Sequence, residues 1–444
     1  MRQYHIITFV LEVVLFMFVP QYIYAGCVVL KKGTPIDRQI VAANTTYEVY
    51  DNFDLGGKTL SLPKNVCLSF RGGIISGGTV VFNNTVLYQP SFSKMHFKGS
   101  TTVEYFDIKD YGACAGDKTV DCSVLINELI ALKCTNGSDR NAKTIHIPNG
   151  TFYIKNPILL WAGWEAPITL EGNGNTSTLC QLTDNTPIIE HFECHYVKNI
   201  KLTYDNRQGK QNTKAMAVAC QRAIFSLYEN LTICKAQTAF GYISLNTQKQ
   251  GFNPTGYKDQ CYVSCNFRNI RIYETSGYAF DFKKEFAQGD SGSAYDNIYI
   301  SCYDWLGNTM DNVSTGAIRG ENTVACFTQL NIEGRGYSDC LIDLDGMSRI
   351  SIESIHLEGI RNMPAIARVR VQSIVSFNMI DVQMCEFNKA NYKAIEIRDS
   401  GLANVKILTL KQDCKKTNTV KQPILSNNMQ RLRIEQKLDA IKLF

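Results

Sequence analysis

The 444-residue sequence carries 16 cysteines but no Cys-x-x-Cys pair. Without paired Cys/His spacing there is no sequence signature of a structural zinc site. It also has no basic run and no nucleic-acid-binding motif, which excludes a nucleic-acid partner. The net charge is only +5, so the chain tolerates acidic ligands without requiring them. It has no unbroken apolar run long enough for a stable membrane span. The longest, Ile6 to Val19, is interrupted by Glu12. Histidine is scarce, at six residues, so each one outside the N-terminal segment counts as a candidate. What remains, 45% hydrophobic and 20% charged residues, is the balance of a folded protein.

Residues 1–25 read as an export signal. Arg2 and His5 precede the apolar run, and Ile23-Tyr24-Ala25 resembles a cleavage site. Tyr24-Ala25-Gly26-Cys27 is also a loose match to a lipobox, which would lipid-anchor Cys27 at the periplasm, cell surface or exterior. Export brings oxidising conditions, and Cys114–Cys122 and Cys261–Cys265 are conceivable disulfides. Cys67, Cys234, Cys302 and Cys326 lie in apolar strand contexts and are expected to point inward as small hydrophobes.

Two stretches 25 residues apart repeat one pattern: Gln329-Leu330-Asn331-Ile332-Glu333-Gly334 and Ser354-Ile355-His356-Leu357-Glu358-Gly359. In a strand, alternate residues share a face, so the apolar pair points in and the polar pair out. Related segments begin at Asn199, Asn230, Asn269, Asn297, Arg349 and Asn404, mostly 20 to 39 residues apart. Such a period marks a solenoid. The expected fold is all-β, a parallel β-helix. The Asn before each strand fits a turn in which its side chain bonds local backbone. Residues 204–219, 244–261, 281–296 and 302–325 are polar and read as loops that build a binding face.

A β lead-in is expected over 26–100 and the coil over 101–410. A capping helix is expected at about 123–133 and a last rung with its cap over 411–444. Asp121 or Ser123 can cap that helix. The order Tyr111-Gly112-Ala113, Gly116-Asp117-Lys118-Thr119-Val120-Asp121, helix, Ile145-His146-Ile147-Pro148-Asn149-Gly150-Thr151-Phe152-Tyr153-Ile154 resembles the pectate-lyase-like superfamily. Its glycoside hydrolase family 28-related branch, which includes secreted bacterial and phage-tailspike proteins, is the nearest in style. The lead-in, with Asp54-Leu55-Gly56-Gly57-Lys58-Thr59, is similar to exported proteins of gut Bacteroidetes. The resemblance implies a right-handed β-helix with the helix over its N-terminal end. It leaves the reaction open, since that fold hosts lyases, hydrolases, epimerases and binding proteins. The Asn-Thr-Asp, Asp-Asp and Gly-His-Gly signatures of polygalacturonases are absent.

Stacked in register, the rungs give one outward column of Arg271, Tyr299, Asn331 and His356, and a neighbour of Tyr273, Ser301, Glu333 and Glu358. The first column suits β-elimination from a uronic acid. Arg271 or Asn331 would neutralise the carboxylate, His356 would act as base and Tyr299 as acid. The second suits a retaining glycosidase with Glu333 and Glu358 as its pair. Trp161 and Trp164 are candidates for stacking on sugars. Asp290, in a Gly/Ser-rich stretch, is a candidate for a sugar hydroxyl or Ca²⁺. Arg335, Arg361, Arg368 and Arg370 are candidates for sulfate or carboxylate groups. His191 and His195 flank an acidic turn, and His146 reads as exposed or capping. The expected partner is a uronate-containing, acidic polysaccharide cleaved by β-elimination, with retaining hydrolysis by the Glu pair as the alternative. A non-catalytic glycan-binding solenoid is the rival from another class. A trimeric tailspike is a third, and nothing in the sequence fixes the oligomer.

Overall fold

The computed structural model describes residues 26–135, 142–161, 166–244, 261–283, 289–303, 314–334, 336–360, 364–383, 385, 393–411, 424–426 and 428–439. Two compact units divide between Thr102 and Val103.

In the first unit, Thr46–Val49 pairs in parallel with Cys27–Val29 on one side and Cys67–Phe70 on the other. Ile75–Tyr88 continues the stack and pairs with Phe92–Thr101. Asn44, Asn65 and Asn84 sit at left-handed turns, φ 52°, 58° and 52°. Asparagine tolerates that region better than other non-glycine residues. The Asn65 and Asn84 side-chain amides donate to the Asn44 and Asn65 side-chain oxygens one turn earlier, at 2.8 and 2.6 Å.

The second unit opens with the strand Tyr105–Asp107 and a 3-10 turn, Ile108–Tyr111, followed by the helix Cys122–Ala131. Asp121 caps it by accepting from the Ser123 N–H at 3.0 Å. Cys122, Ile126, Leu129 and Ile130 are buried, against strands Lys143–Ile147, Gly150–Ile154 and Ile158–Trp161. The buried Lys143 ammonium closes the other end, donating to the carbonyls of Ile130 (2.8 Å) and Leu132. Burial pushes that amine down to about 8. Lys143→Met keeps the stem but strips the donor from two terminal carbonyls. It is expected to cost about 1–3 kcal/mol, read as a shift in the urea midpoint.

Beyond the helix the chain winds as a parallel coil with three outward faces. On the first, Asp107, His146, Glu171, Lys198, Glu229, Arg268 and Asp296 lie on successive rungs. The second carries the columns read from sequence. On the third, Asp281, Arg319, Asp343, Arg368 and Glu396 lie on successive rungs. Asn199, Asn230, Asn269 and Asn297 turn the chain from first face to second with φ of 52–54°. Their amides bond one another at 2.8, 3.0 and 2.9 Å. The expected bond to local backbone is replaced, because rungs about 4.8 Å apart bring like side chains within reach.

Inside, aromatic rings stack in file. Tyr228–Phe267, Phe267–Tyr295 and Tyr295–Phe327 centroids lie 4.8, 4.3 and 4.3 Å apart. Several expected loops contain strands: Met216–Ile224, Ser291–Ser301 and Gly316–Glu321. Their inward residues include Ala, Gly and Ser, which hides the alternation. The described cysteines are all free, including both suggested pairs. Cys67, Cys234 and Cys302 are buried as expected, but Cys326 is exposed, because its strand turns Ala325 and Phe327 inward instead.

Asp290 is a correction. It is 1% exposed and accepts from the Tyr295 hydroxyl at 2.6 Å, so it reaches neither sugar nor solvent cation. Burial raises its carboxyl to about 7. A raised carboxyl keeps its proton in the fold while the unfolded chain has lost it. Its contribution therefore falls as pH rises from about 4 to about 7. Buried His191 and His195, both held below their ordinary value by burial, act in the opposite sense. The difference between wild type and Asp290→Asn isolates Asp290. The variant is expected to gain on the order of 1–4 kcal/mol relative to wild type between about pH 4.5 and 7.5, measured by urea melts.

Candidate functional site

The second face brings the two sequence-read columns together in the expected register. Arg271 pairs with Tyr299, Tyr299 with Asn331, and Asn331 with His356. Alongside, Tyr273 pairs with Ser301, Ser301 with Glu333, and Glu333 with Glu358. Each apolar neighbour, such as Leu330, Ile332, Ile355 and Leu357, is fully buried, which pins the polar residues outward.

The geometry concentrates chemistry at the C-terminal end of these columns. The Tyr299 hydroxyl donates to Glu333 Oε2 at 2.6 Å. Burial, then Glu333, pushes that phenol well above its ordinary value. His356 Nδ1 meets Asp381 Oδ2 at 3.0 Å, and its Nε2 lies 3.5 Å from Glu358 Oε2. Asp381 also accepts from Gln383 at 3.1 Å. The sequence reading missed Asp381. Its strand, Ile374–Gln383, comes 25 residues after the His356 strand in register. It lacks the closing Glu-Gly that marks the other two.

Contrast with the other faces gives the cluster its meaning. There charge alternates from rung to rung, and Arg319 pairs with Asp281 while Arg368 bridges Asp339 (2.9 Å) and Glu396 (2.8 Å). Glu333 and Glu358 stack like on like, with Asp381 beside them. No Lys or Arg pairs with any of the three among the described residues. Like charges directly opposite are destabilising.

Arg271 stands three rungs from His356, about 14 Å at ordinary strand spacing. It therefore does not neutralise a carboxylate on the sugar that His356 touches. A groove of about 700 Å³ runs along this face from Gly174 and Asn175 past Arg271 and ends at Asn331, one rung short of His356. Arg271, Tyr273, Tyr299 and Asn331 line its floor, and the Asn230–Asn269–Asn297 ladder lines one wall.

Other candidates lie elsewhere. Arg368 and Arg370 are on the third face, already paired with Asp339, Asp343, Asp345 and Glu396, so they do not wait for an anion. Asp339, Cys340 and Asp343 have ligand atoms within 4.8 Å of one another, but Arg368 already sits between the two carboxylates. Trp161 is 3% exposed and packs with Leu159 and Phe192, too deep to stack on a sugar. His191 and His195 are buried, held by Glu193 O and Phe192 O at 2.9 and 2.8 Å. His146 is half-buried between Asp107 (2.9 Å) and Asn173 (3.2 Å). Trp164, Arg335, Arg361 and the export signal lie outside the described residues. Among the described residues no helix is long and apolar enough to cross a membrane.

Residues 105–302 match the family model described as "Rhamnogalacturonase A/epimerase, pectate lyase-like". The match ends one rung before Asn331. Among solved structures, the chain is similar to the gp42 tailspike of Acinetobacter phage vb_AbaP_AS12, with 10% identity and a TM-score of 0.47. That alignment covers 76% of this chain and 63% of the tailspike, so the chain spans less than two thirds of its length. It is also similar to the receptor-binding protein of bacteriophage Det7, a podoviral tailspike in a myovirus. There the identity is 10% and the TM-score 0.23, over 94% of this chain and 76% of that one. No curated protein matches the chain.

Proposed function

Residues 105–302 are pectate lyase-like and wind as a right-handed parallel β-helix, and on that premise we propose that the chain is a polysaccharide hydrolase. Glu333 and Glu358 form its catalytic pair. The observation that carries this is the stack of carboxylates around His356, on a coil whose other faces alternate charge.

The substrate lies along the groove, parallel to the coil axis. Carboxylates on adjacent rungs have the spacing of about 5 Å that suits double displacement with retention. Glu333, which accepts from Tyr299, is the anion that attacks the anomeric carbon. Glu358 protonates the departing glycosidic oxygen, and the bond to the leaving sugar breaks as the glycosyl–Glu333 ester forms. Glu358 then takes a proton from water, which attacks the same carbon and releases Glu333. His356, oriented by Asp381, keeps Glu358 in place and shares its proton traffic. The export signal read in residues 1–25 goes with a polysaccharide outside the cytoplasm.

β-Elimination fits less well. The carboxylates around His356 repel a uronate at the reacting carbon, and Arg271 is too distant to compensate. The test is incubation of the full chain with neutral and acidic polysaccharides. Hydrolysis releases reducing ends, with retained anomeric configuration by NMR and no new ultraviolet absorbance. An unsaturated product returns the reaction to a lyase with His356 as base. Glycan binding without any product leaves an adhesive solenoid.

A further inference from the structure

The groove is polarised along its length. Midway along it stands Arg271, exposed and with no carboxylate partner among the described residues. Several other arginines of the coil are committed: Arg319 to Asp281, Arg368 to Asp339 and Glu396, Arg370 to Asp343, Arg398 to Glu396. The wall beside Arg271 consists of Asn amides that already donate to one another, so it supplies no countercharge. Next to Arg271 on the groove lining, Tyr273 is half-buried, its ring centroid 5.6 Å from that of Tyr299. Just past its C-terminal end, from the Asn331 strand onward, stand Glu333, Glu358 and Asp381.

We propose that Arg271, flanked by Tyr273, is an anion subsite. It holds a carboxylate- or sulfate-bearing sugar two rungs to the N-terminal side of the carboxylate pair, while a neutral unit occupies the cut. Two rungs span about 10 Å, so the charged and reacting units are different sugars. The guanidinium fork matches either oxyanion group, and the tyrosine supplies apolar contact to the ring that carries it. Like-charge repulsion at the far end keeps a second anion from the cut. The subsite thus sets which way the glycan lies and selects chains of mixed charge. This deepens the hydrolase reading and rests on it for the position of the cut.

The test measures binding, by calorimetry, in a Glu333→Gln background so that the ligand survives. Three oligosaccharides of equal length serve as probes: a mixed uronate-neutral chain, its carboxyl-reduced form, and that reduced form sulfated. Arg271→Ala is expected to weaken the uronate or the sulfated chain roughly 10- to 100-fold, the range of a charge-assisted hydrogen bond. The reduced chain should bind both proteins alike, and Arg271→Lys should restore part of the loss. Whichever anionic arm responds identifies the group. Equal binding of all probes, no binding of any, or an equal loss for the reduced chain overturns the subsite. If wild type forms no product but the Arg271 selectivity holds, the hydrolase reading fails and the subsite stands.

Discussion

Glu333→Gln and Glu358→Gln are each expected to lower kcat by about 10³-fold or more, with oligosaccharide affinity changed severalfold at most. Both substitutions keep the shape of the side chain and remove its capacity to hold a negative charge or relay a proton. The two should fail differently. Glu333→Gln blocks formation of the glycosyl ester, so no burst and no trapped intermediate appear with any leaving group. Glu358→Gln removes the acid, so a substrate with a good leaving group recovers ester formation and the ester accumulates. Mass spectrometry of the denatured chain reads this directly. His356→Ala, which acts through Glu358, is expected to shift the pH–rate profile and lower kcat about 10- to 100-fold. Full activity in both Glu variants would falsify the site.

The second large effect lies in the core. Phe267 is stacked between Tyr228 at 4.8 Å and Tyr295 at 4.3 Å, and it is fully buried. Phe267→Ala removes a ring from both contacts and leaves a cavity that the rigid turns above and below cannot close. The expected cost is about 3–5 kcal/mol. A solenoid is stabilised by nearest-neighbour interfaces, so the loss is local. Hydrogen exchange should show faster opening over 227–301 while 365–411 retains its protection. Uniform loss of protection would mean that the coil unfolds as one block.

Much of this molecule was legible from alternation. Strands such as Val324–Glu333 and Arg349–Glu358 alternate large aliphatic with polar residues, so both their existence and their mutual register could be read. The helix start was legible from its short polar residues as a cap at Asp121 or Ser123, and the structure gives it to Asp121. Third-face strands such as Met216–Ile224 were not, because Ala, Cys and Gln fill inward positions there. Asp290 misled because glycines and serines around it resemble a loop, whereas the aromatic file draws it inward through Tyr295. The ion pairs of Arg368 and Arg370 depend on carboxylates 25 to 29 positions away, which no local pattern announces. Asp381 was recoverable in principle, by carrying the register one turn further.

The alternating charges on the first and third faces constrain how such a chain can change in length. Deleting or duplicating a single turn inside either charged column would set like charge against like at the break. Turns gained or lost in pairs restore the sequence of signs. A family tree of this protein should therefore show relatives differing by even numbers of turns in these regions, with odd insertions confined to stretches where the outward residues are neutral.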